Sequence, residues 1–242
     1  MIRLPSFLPF VVALSVLSAC ISSPINPRDY DRPIKLACVG DSITAGSGSG
    51  PGQNSYPAQL GRMLGTPYSV RNFGVSGATL LKAGDKPYDK QSLYTQALAW
   101  KPDVVVIMLG TNDTKPQNWS HKGDFIADYR TLVESFLKLD SKPRVFVVRP
   151  CPVTGDNSYG IKESGVIEEI PMIDAVVVAE SAGLIDVHAA MAGKVALFPD
   201  NVHPSRDGAT LLAKTVYKAL AGGDYAGPDP TVAPPATRPA NP

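Results

Sequence analysis

The stretch "LACVGDSITAG", from Leu36 to Gly46, passes from an apolar run directly into Gly-Asp-Ser and then toward a tract of alternating glycine and serine. The apolar part is typical of a buried strand, and the polar part marks the turn that ends it. Ser42 in this turn has three open interpretations. It is a nucleophile, the lip of a phosphate-binding loop, or a residue that simply turns the chain.

Further apolar runs rich in Val and Ile follow, and longer amphipathic stretches separate them. The predicted strands are 34–39, 68–73, 103–109, 144–149 and 183–187. The predicted helices lie near 55–65, 90–99, 124–139, 164–182 and 206–221, the last with Ser205 as N-cap. Because the middle strands are apolar throughout, helices are expected on both faces of the sheet. The alternation predicts an α/β fold of three layers, α/β/α, around a central parallel sheet of about five strands with right-handed crossovers.

Composition is that of a globular protein with a full core. The chain has 242 residues, 44% of them hydrophobic and 19% charged, and a formal net charge of +1. These values exclude a chain that is disordered throughout. Lys and Arg show no clustered excess of the kind that nucleic-acid binding requires, so no nucleic-acid partner is expected.

The chain begins like an exported protein. Arg3 precedes an apolar run from Phe7 to Leu17, which is shorter than the roughly 20 residues of a membrane span. The following Leu17-Ser18-Ala19-Cys20 resembles the lipobox of bacterial lipoproteins. We therefore interpret 1–19 as a signal peptide and Cys20 as the lipidated residue; an ordinary signal peptide and a buried N-terminal helix are the alternatives.

This interpretation predicts an exported protein of the bacterial cell envelope that touches the membrane only through its lipid anchor. Since Ile21 rather than an acidic residue follows Cys20, the outer membrane is favoured. Residues 20–33 are polar and proline-bearing, as expected of a tether, and 34–222 form one folded domain. Residues 223–242 contain six prolines and are interpreted as a disordered tail.

Side chains able to do chemistry follow the predicted strands. In parallel sheets of this kind, ligands bind off the carboxyl ends of the strands. The segments concerned are Gly40-Asp41-Ser42, Gly74-Val75-Ser76-Gly77, Gly110-Thr111-Asn112-Asp113 and, before the last helix, "FPDNVHPS" with Asp200 and His203. Together they bring a hydroxyl, backbone donors, a carboxamide, a carboxylate and an imidazole to one edge of the sheet.

These groups are the parts of nucleophilic ester cleavage. A serine hydroxyl such as that of Ser42 needs a base to take its proton, and His203 held by Asp200 can supply one. The tetrahedral intermediate carries an oxyanion. Backbone N–H groups at the glycine-flanked turns and the Asn112 amide can stabilise it.

Four blocks, "GDSITAG", "NFGVSG", "GTND" and "DNVH", resemble in order and spacing those of the SGNH (GDSL) hydrolases, from Lys35 to Leu220. The resemblance implies the flavodoxin-like fold of that family and acyl-enzyme chemistry without cofactor or metal. It implies that Ser42 is the nucleophile and a backbone oxyanion donor, and that Asp200 and His203 complete the triad. Gly77 and the Asn112 side chain are then the other two donors.

The stretches "NFGVSGATLLKAGDKPY" and "IMLGTNDTKPQNW" also look like those of carbohydrate O-acetylesterases, of the sialate O-acetylesterase-like and acetylxylan-esterase-like kinds. The expected activity is removal of O-acetyl groups from a small-molecule or polysaccharide ester. A lipase, lysophospholipase or thioesterase acting on longer acyl chains is the enzymatic alternative. A non-catalytic envelope protein that binds carbohydrate is the alternative from another class.

Several residues carry rival interpretations. Asp41 and Asp113 are interpreted as structural, because an Asp at such turns more often caps backbone N–H groups. His188 with Asp186 offers a second acid–base pair, but the resemblance marks Asp200 and His203 instead. His121 is expected to face solvent.

Loop residues around the predicted site are equally ambiguous. Trp119 is either a platform on which a sugar stacks or a side chain packed down over the domain. The tract "GSGSGPG" (46–52) is not followed by the acidic residue or Gly-Lys-Ser/Thr that a nucleotide loop requires, and is interpreted as a flexible rim. Cys38 and Cys151 are expected to be free and buried, with a disulfide between them as the alternative.

Overall fold

The computed structural model describes residues 23–50 and 52–232, and within them five parallel strands form one sheet. The strands are β1 Ile34–Gly40, β2 Tyr68–Gly74, β3 Val104–Met108, β4 Arg144–Arg149 and β5 Gly183–Asp186. Their order is β2-β1-β3-β4-β5, and each neighbouring pair is parallel. This is the flavodoxin-like order, in which the chain changes direction across the sheet at β1 and β3. The predicted fold class and strand positions are confirmed.

Helices separate the strands at the predicted places. They are α1 Ser42–Ala45, α2 Tyr56–Leu64, α3 Ser92–Ala99, α4 Pro116–Trp119, α5 Phe125–Leu137, α6 Glu163–Ala179, α7 Val187–Met191 and α8 Arg206–Ala221. The side chain of Ser205 accepts a hydrogen bond from the Gly208 N–H and caps α8, as predicted. The sequence did not predict α1, α4 and α7, because four or five residues are too few to show a helical period.

The core lies in two layers, one on each face of the sheet. Along β1, Leu36 and Cys38 face the cluster that includes Leu60 of α2 and Leu212 of α8. The alternate β1 residues face a second cluster, to which α3, α5 and α6 contribute. All five residues of β3 are buried. The sheet is therefore covered on both sides, which explains why its central strands are apolar at every position.

The segments flanking the domain contact it. Ile25 is buried and its N–H donates to the Leu220 carbonyl at 2.7 Å. Pro230 is also buried, and its carbonyl accepts a hydrogen bond from Arg62. Contacts of the domain thus extend into 23–33 and 223–232. The predicted signal peptide, Cys20 and residues 233–242 lie outside the described residues.

Two further features of the described part bear on the predictions. Cys38 and Cys151 are free and buried, as the sequence favoured. Within residues 23–50 and 52–232, no helix combines the length and the apolar character that crossing a membrane requires.

Glycines at the ends of β1 and β2 allow α1 to lie directly over the sheet edge. A Cβ atom on Gly40 would overlap Thr44 and the Met108 carbonyl, and one on Gly74 would overlap the backbone of Ala45. This close approach places Ser42, the first residue of α1, immediately above the carboxyl ends of the two strands.

Candidate active site

Ser42, His203 and Asp200 form a continuous hydrogen-bonded chain. Ser42 Oγ lies 2.8 Å from His203 Nε2, and His203 Nδ1 lies 2.7 Å from Asp200 Oδ2. Because the carboxylate holds the imidazole proton on Nδ1, Nε2 is free to accept the proton of the Ser42 hydroxyl. His203 and Ser42 are both largely buried. The structure therefore brings together the three side chains that the sequence singled out.

Asp200 is held as a carboxylate. Burial by itself would raise the pKa of this group, but hydrogen bonds from the His203 N–H and imidazole and from the Val202 N–H outweigh it and lower the pKa to about 2. The two backbone N–H donors also hold the carboxylate in position. Asp200 therefore remains ionised and able to stabilise an imidazolium on His203 across the neutral range.

The turn before Ser42 presents the backbone N–H of that residue to the site. Asp41 accepts a hydrogen bond from the Ile43 N–H at 2.9 Å and caps α1, which confirms its structural interpretation. Ser42 follows as the first helical residue, so its N–H has no acceptor within the helix. That donor is therefore free to bind a ligand beside Ser42 Oγ.

Gly77 and Asn112 line the same surface cavity as His203. Gly77 has φ +79°, a left-handed conformation that suits glycine, in the turn after β2. One N–H of the Asn112 side chain donates to the Ala78 carbonyl at 3.1 Å, which leaves the second N–H of the same amide for a ligand. The backbone carbonyl of Asn112 accepts a hydrogen bond from the Asn118 side-chain amide at 2.9 Å.

Asp113 ties these two loops together. Its carboxyl oxygens accept from the N–H groups of Leu80 and Leu81 at 2.9 and 2.7 Å, so the loop of Asn112 is fastened to the loop of Gly77. The predicted structural role of Asp113 is confirmed. Burial raises the pKa of Asp113 to about 7 and that of Asp41 to about 6.

These groups meet in an open cavity of about 330 Å³. It is lined by Ser42, Ser47, Gly48, Ser76, Gly77, Thr111, Asn112, Lys115, Tyr159, Ile161, Asp200, Val202 and His203. All five residues assigned by the resemblance are among them. The cavity is thus large enough for a small ester and has the Ser42 hydroxyl in its wall.

Other predicted candidates lie elsewhere. Trp119 is outside the cavity lining; its ring packs edge-on against Phe125, and its N–H donates to Glu168 at 2.8 Å. It is therefore a side chain packed over the domain. His188 contacts Glu163 at 2.8 Å rather than Asp186, and His121 is exposed, as expected.

Tyr159 is a cavity residue that the sequence did not reveal. Its hydroxyl donates to Asp200 Oδ2 at 3.1 Å, and its ring meets the His203 ring edge to face with centroids 5.1 Å apart. Asn157 orders the loop by accepting from the Tyr159 N–H, and Asn201 binds it by donating to the Asp156 carbonyl. Sequence periodicity could not predict this position, because Tyr159 lies in an irregular loop. The only local indication of an ordered loop is the presence of Asn157 and Asn201, a residue type that favours tight turns.

The glycine–serine tract is more than a rim. Ser47 and Gly48 line the cavity, and a Cβ atom on Gly48 would lie 2.7 Å from the His203 Cβ. Gly48 also has φ +81°. The Gly48 backbone therefore packs directly against His203, which is possible only because glycine has no side chain.

Across residues 23–50 and 52–232, no group of three or more His, Cys, Asp or Glu side chains is arranged to hold a metal ion.

Comparison with known proteins places this geometry in context. The family model of the GDSL-like lipase/acylhydrolase family matches residues 38–211, which include all five assigned site residues. An acetylxylan esterase from Xylanibacter ruminicola is 35% identical over 214 residues, covering 80% of this chain and 44% of that protein. The chain thus spans less than half the length of this curated relative.

Solved structures share the fold. A carbohydrate acetylesterase from Sinorhizobium meliloti superposes with a TM-score of 0.67 at 19% identity, over 78% of this chain and 99% of that one. An aryl esterase from M. smegmatis gives 0.62 at 20% identity, over 76% and 97% of the two chains. The matched residues and the arrangement around Ser42 lead to one assignment: the chain belongs to the GDSL-like lipase/acylhydrolase family.

Proposed function

We propose that this chain is a serine ester hydrolase that removes O-acetyl groups from carbohydrate through an acyl-enzyme. The observation that carries the proposal is the relay from Ser42 through His203 to Asp200, which opens into a cavity facing Gly77 and Asn112.

In the first half-reaction, Ser42 Oγ attacks the acetyl carbonyl while His203 Nε2 takes the hydroxyl proton. The carbonyl oxygen becomes an oxyanion, which the N–H groups of Ser42 and Gly77 and the free N–H of Asn112 stabilise. When the carbon–oxygen bond to the sugar breaks, the imidazolium gives its proton to the departing alkoxide. The products are a free sugar hydroxyl and an acetyl ester on Ser42.

In the second half-reaction, water attacks the acetyl-serine. His203 takes a proton from this water, and the same three donors hold the new oxyanion. Collapse of the intermediate breaks the bond to Ser42 Oγ, which recovers its proton from His203. Acetate leaves and the free enzyme is restored.

The cavity lining supports a short acyl group and a polar alcohol. Of its residues only Ile161 and Val202 have aliphatic side chains, whereas a long acyl chain gains its binding energy from an extended apolar channel. The acetylxylan esterase and the carbohydrate acetylesterase among the similar proteins support the same substrate class for this chain.

We also propose that the protein is exported and anchored in the bacterial cell envelope through a lipid on Cys20. This proposal is supported by the short apolar leader and the small residues before Cys20. Labelling with a radioactive fatty acid tests it, since Cys20→Ala should abolish incorporation.

A series of p-nitrophenyl esters of increasing chain length, run beside acetate release from acetylated xylan and O-acetyl sialic acid, tests the activity. We expect the rate to be highest for acetate and to fall as the chain lengthens. Flat or rising rates would favour the lipase, lysophospholipase or thioesterase alternative. A protein that turns over none of these esters would instead be the carbohydrate-binding alternative.

A further inference from the structure

The peptide group between Ser76 and Gly77 lies in a tight turn after β2. The Ala78 N–H donates to the Val75 carbonyl at 3.0 Å and closes the turn. Gly77 has φ +79°, whereas Ser76 is not in the positive-φ region. This combination is that of a type II turn.

Type I and type II turns differ in the direction of their central peptide group, which is rotated by about 180° between them. Glycine at the third position is allowed in both. The sequence of the turn therefore leaves the direction of the Gly77 N–H undecided. Within residues 23–50 and 52–232, that N–H has no hydrogen-bond acceptor that would hold it.

The other end of the same peptide group does have a partner. Lys86 Nζ donates to the Ser76 carbonyl at 2.8 Å. The Lys86 side chain passes over the turn, with its Cδ 3.7 Å from where a Cβ of Gly77 would lie. This contact connects a loop residue ten positions away to the oxyanion side of the cavity.

The backbone of Lys86 is firmly placed. Its carbonyl accepts from the Thr79 N–H at 2.8 Å, and the Tyr88 N–H donates to the Thr79 carbonyl at 2.8 Å. Before it, the Asp85 N–H donates to the Asn118 side chain at 2.9 Å. Lys86 therefore reaches the turn from a fixed point, although its side chain is exposed.

We propose that Lys86 is a positioning residue that directs the Gly77 N–H at the oxyanion. The C=O and N–H of a trans peptide point in opposite directions, so an ammonium that holds the Ser76 oxygen turns the Gly77 N–H toward the cavity. The positive charge also polarises the peptide group and makes its N–H a stronger donor. This inference rests on the proposed ester hydrolysis, because the oxyanion forms only in that reaction.

Kinetics of Lys86→Met, Lys86→Arg and the control Lys90→Met on p-nitrophenyl acetate test the proposal. Lys90 is exposed and pairs with its neighbour Asp89, and its replacement by Met removes the same charge as Lys86→Met. We expect kcat of Lys86→Met to fall about tenfold, less than the 10²–10³ of a deleted donor, because the N–H is still present. KM should change little, Lys86→Arg should recover most of the rate, and Lys90→Met should match the wild type.

Affinity for a boronic acid that forms a tetrahedral adduct on Ser42 gives a second readout. Lys86→Met should weaken this affinity by a factor similar to its loss in kcat. Unchanged kcat and boronate affinity in Lys86→Met, or an equal loss in Lys90→Met, would overturn the proposal.

Crystal structures separate this inference from the proposed function. We expect the Ser76 carbonyl to be rotated or to occupy two directions in Lys86→Met but not in the wild type. A wild-type chain that hydrolyses no ester would overturn the proposed function. The role of Lys86 is overturned separately if the Ser76–Gly77 peptide group has the same direction in crystals of the wild type and of Lys86→Met.

Discussion

Ser42 Oγ and His203 Nε2 lie 2.8 Å apart although 161 positions of sequence separate the two residues. Ser42 begins α1 directly after β1, and His203 lies in the loop before α8, which packs beside α2 on the same face of the sheet. The contact thus depends on the packing of two helices as well as on the sheet.

Replacing Ser42 by Ala should remove the proposed nucleophile and leave the fold intact. The Ser42 side chain is small and sits at the cavity wall, so its loss opens no cavity in the core. We expect hydrolysis of p-nitrophenyl acetate to fall to background while the thermal unfolding midpoint stays close to that of the wild type. A variant that retains more than a few per cent of the rate contradicts the assignment of the nucleophile.

Asn112→Ala removes one of the three proposed oxyanion donors. We expect kcat to fall by about 10²–10³, the usual loss for such a donor, with KM little changed. The hydrogen bond to the Ala78 carbonyl is lost too, so unfolding by urea is measured alongside to show that the variant is folded under assay conditions. A change in KM alone would make Asn112 a substrate-binding residue instead.

Gly48→Ala tests whether the glycine–serine tract supports His203. A methyl group there would lie 2.7 Å from the His203 Cβ and 2.8 Å from the Pro204 carbonyl, and the backbone has φ +81°. We expect kcat to fall by at least tenfold because the imidazole is displaced from Ser42. Gly52→Ala is the matched control, since no atom lies within 4 Å of its added methyl group. Equal rates for the two variants would show that the tract has no supporting role.

Buried carboxyl groups behind the site predict how stability depends on pH. Burial raises the pKa of Asp41 to about 6 and of Asp113 to about 7, whereas in the unfolded chain both lie near 3.8. Between about pH 4 and 7 these two carboxyl groups therefore bind more protons in the folded than in the unfolded state, and we expect the free energy of unfolding to fall as pH rises. Urea unfolding at pH 4.5, 5.5, 6.5 and 7.5 measures this slope.

Asp113→Asn should make that slope shallower, because one of the titrating groups is gone. At pH 4.5 the variant should be less stable by about 1–3 kcal/mol, since the asparagine leaves one of the Leu80 and Leu81 N–H groups without its acceptor. The difference from the wild type should shrink as pH rises, because only the wild type loses stability through the titration of Asp113. Wild-type stability that is flat or rises between pH 4.5 and 7.5 would contradict the prediction.

Periodicity and strand ends were enough to predict the fold and to place Ser42, Gly77 and Asn112 at one edge, whereas the family resemblance selected Asp200 and His203 over the rival pair. Apolar runs of five to seven residues predicted the strands, and Ser42, Gly77 and Asn112 follow three of them. Such positions are determined locally, because a parallel sheet places the carboxyl ends of its strands at the same edge. Asp41 and Asp113 were predicted to be structural for an equally local reason, their position at turns.

Loop residues could not be placed in this way. Trp119 ends the four-residue helix α4 and Tyr159 lies in an irregular loop. Only tertiary contacts pack the first against Phe125 and bring the second to Asp200. The supporting contact of Gly48 likewise depends on where the loop before α8 lies.

Strand periodicity and turn residues act over a few positions, so the chemical groups of the site and the sheet edge at which most of them gather follow from the order of the amino acids. Long-range packing selects which aromatic side chain faces the cavity and which way the peptide group before Gly77 is turned. Those outcomes depend on contacts such as that of Lys86 with Ser76, in which residues from different parts of the chain select one loop conformation among several that are locally allowed.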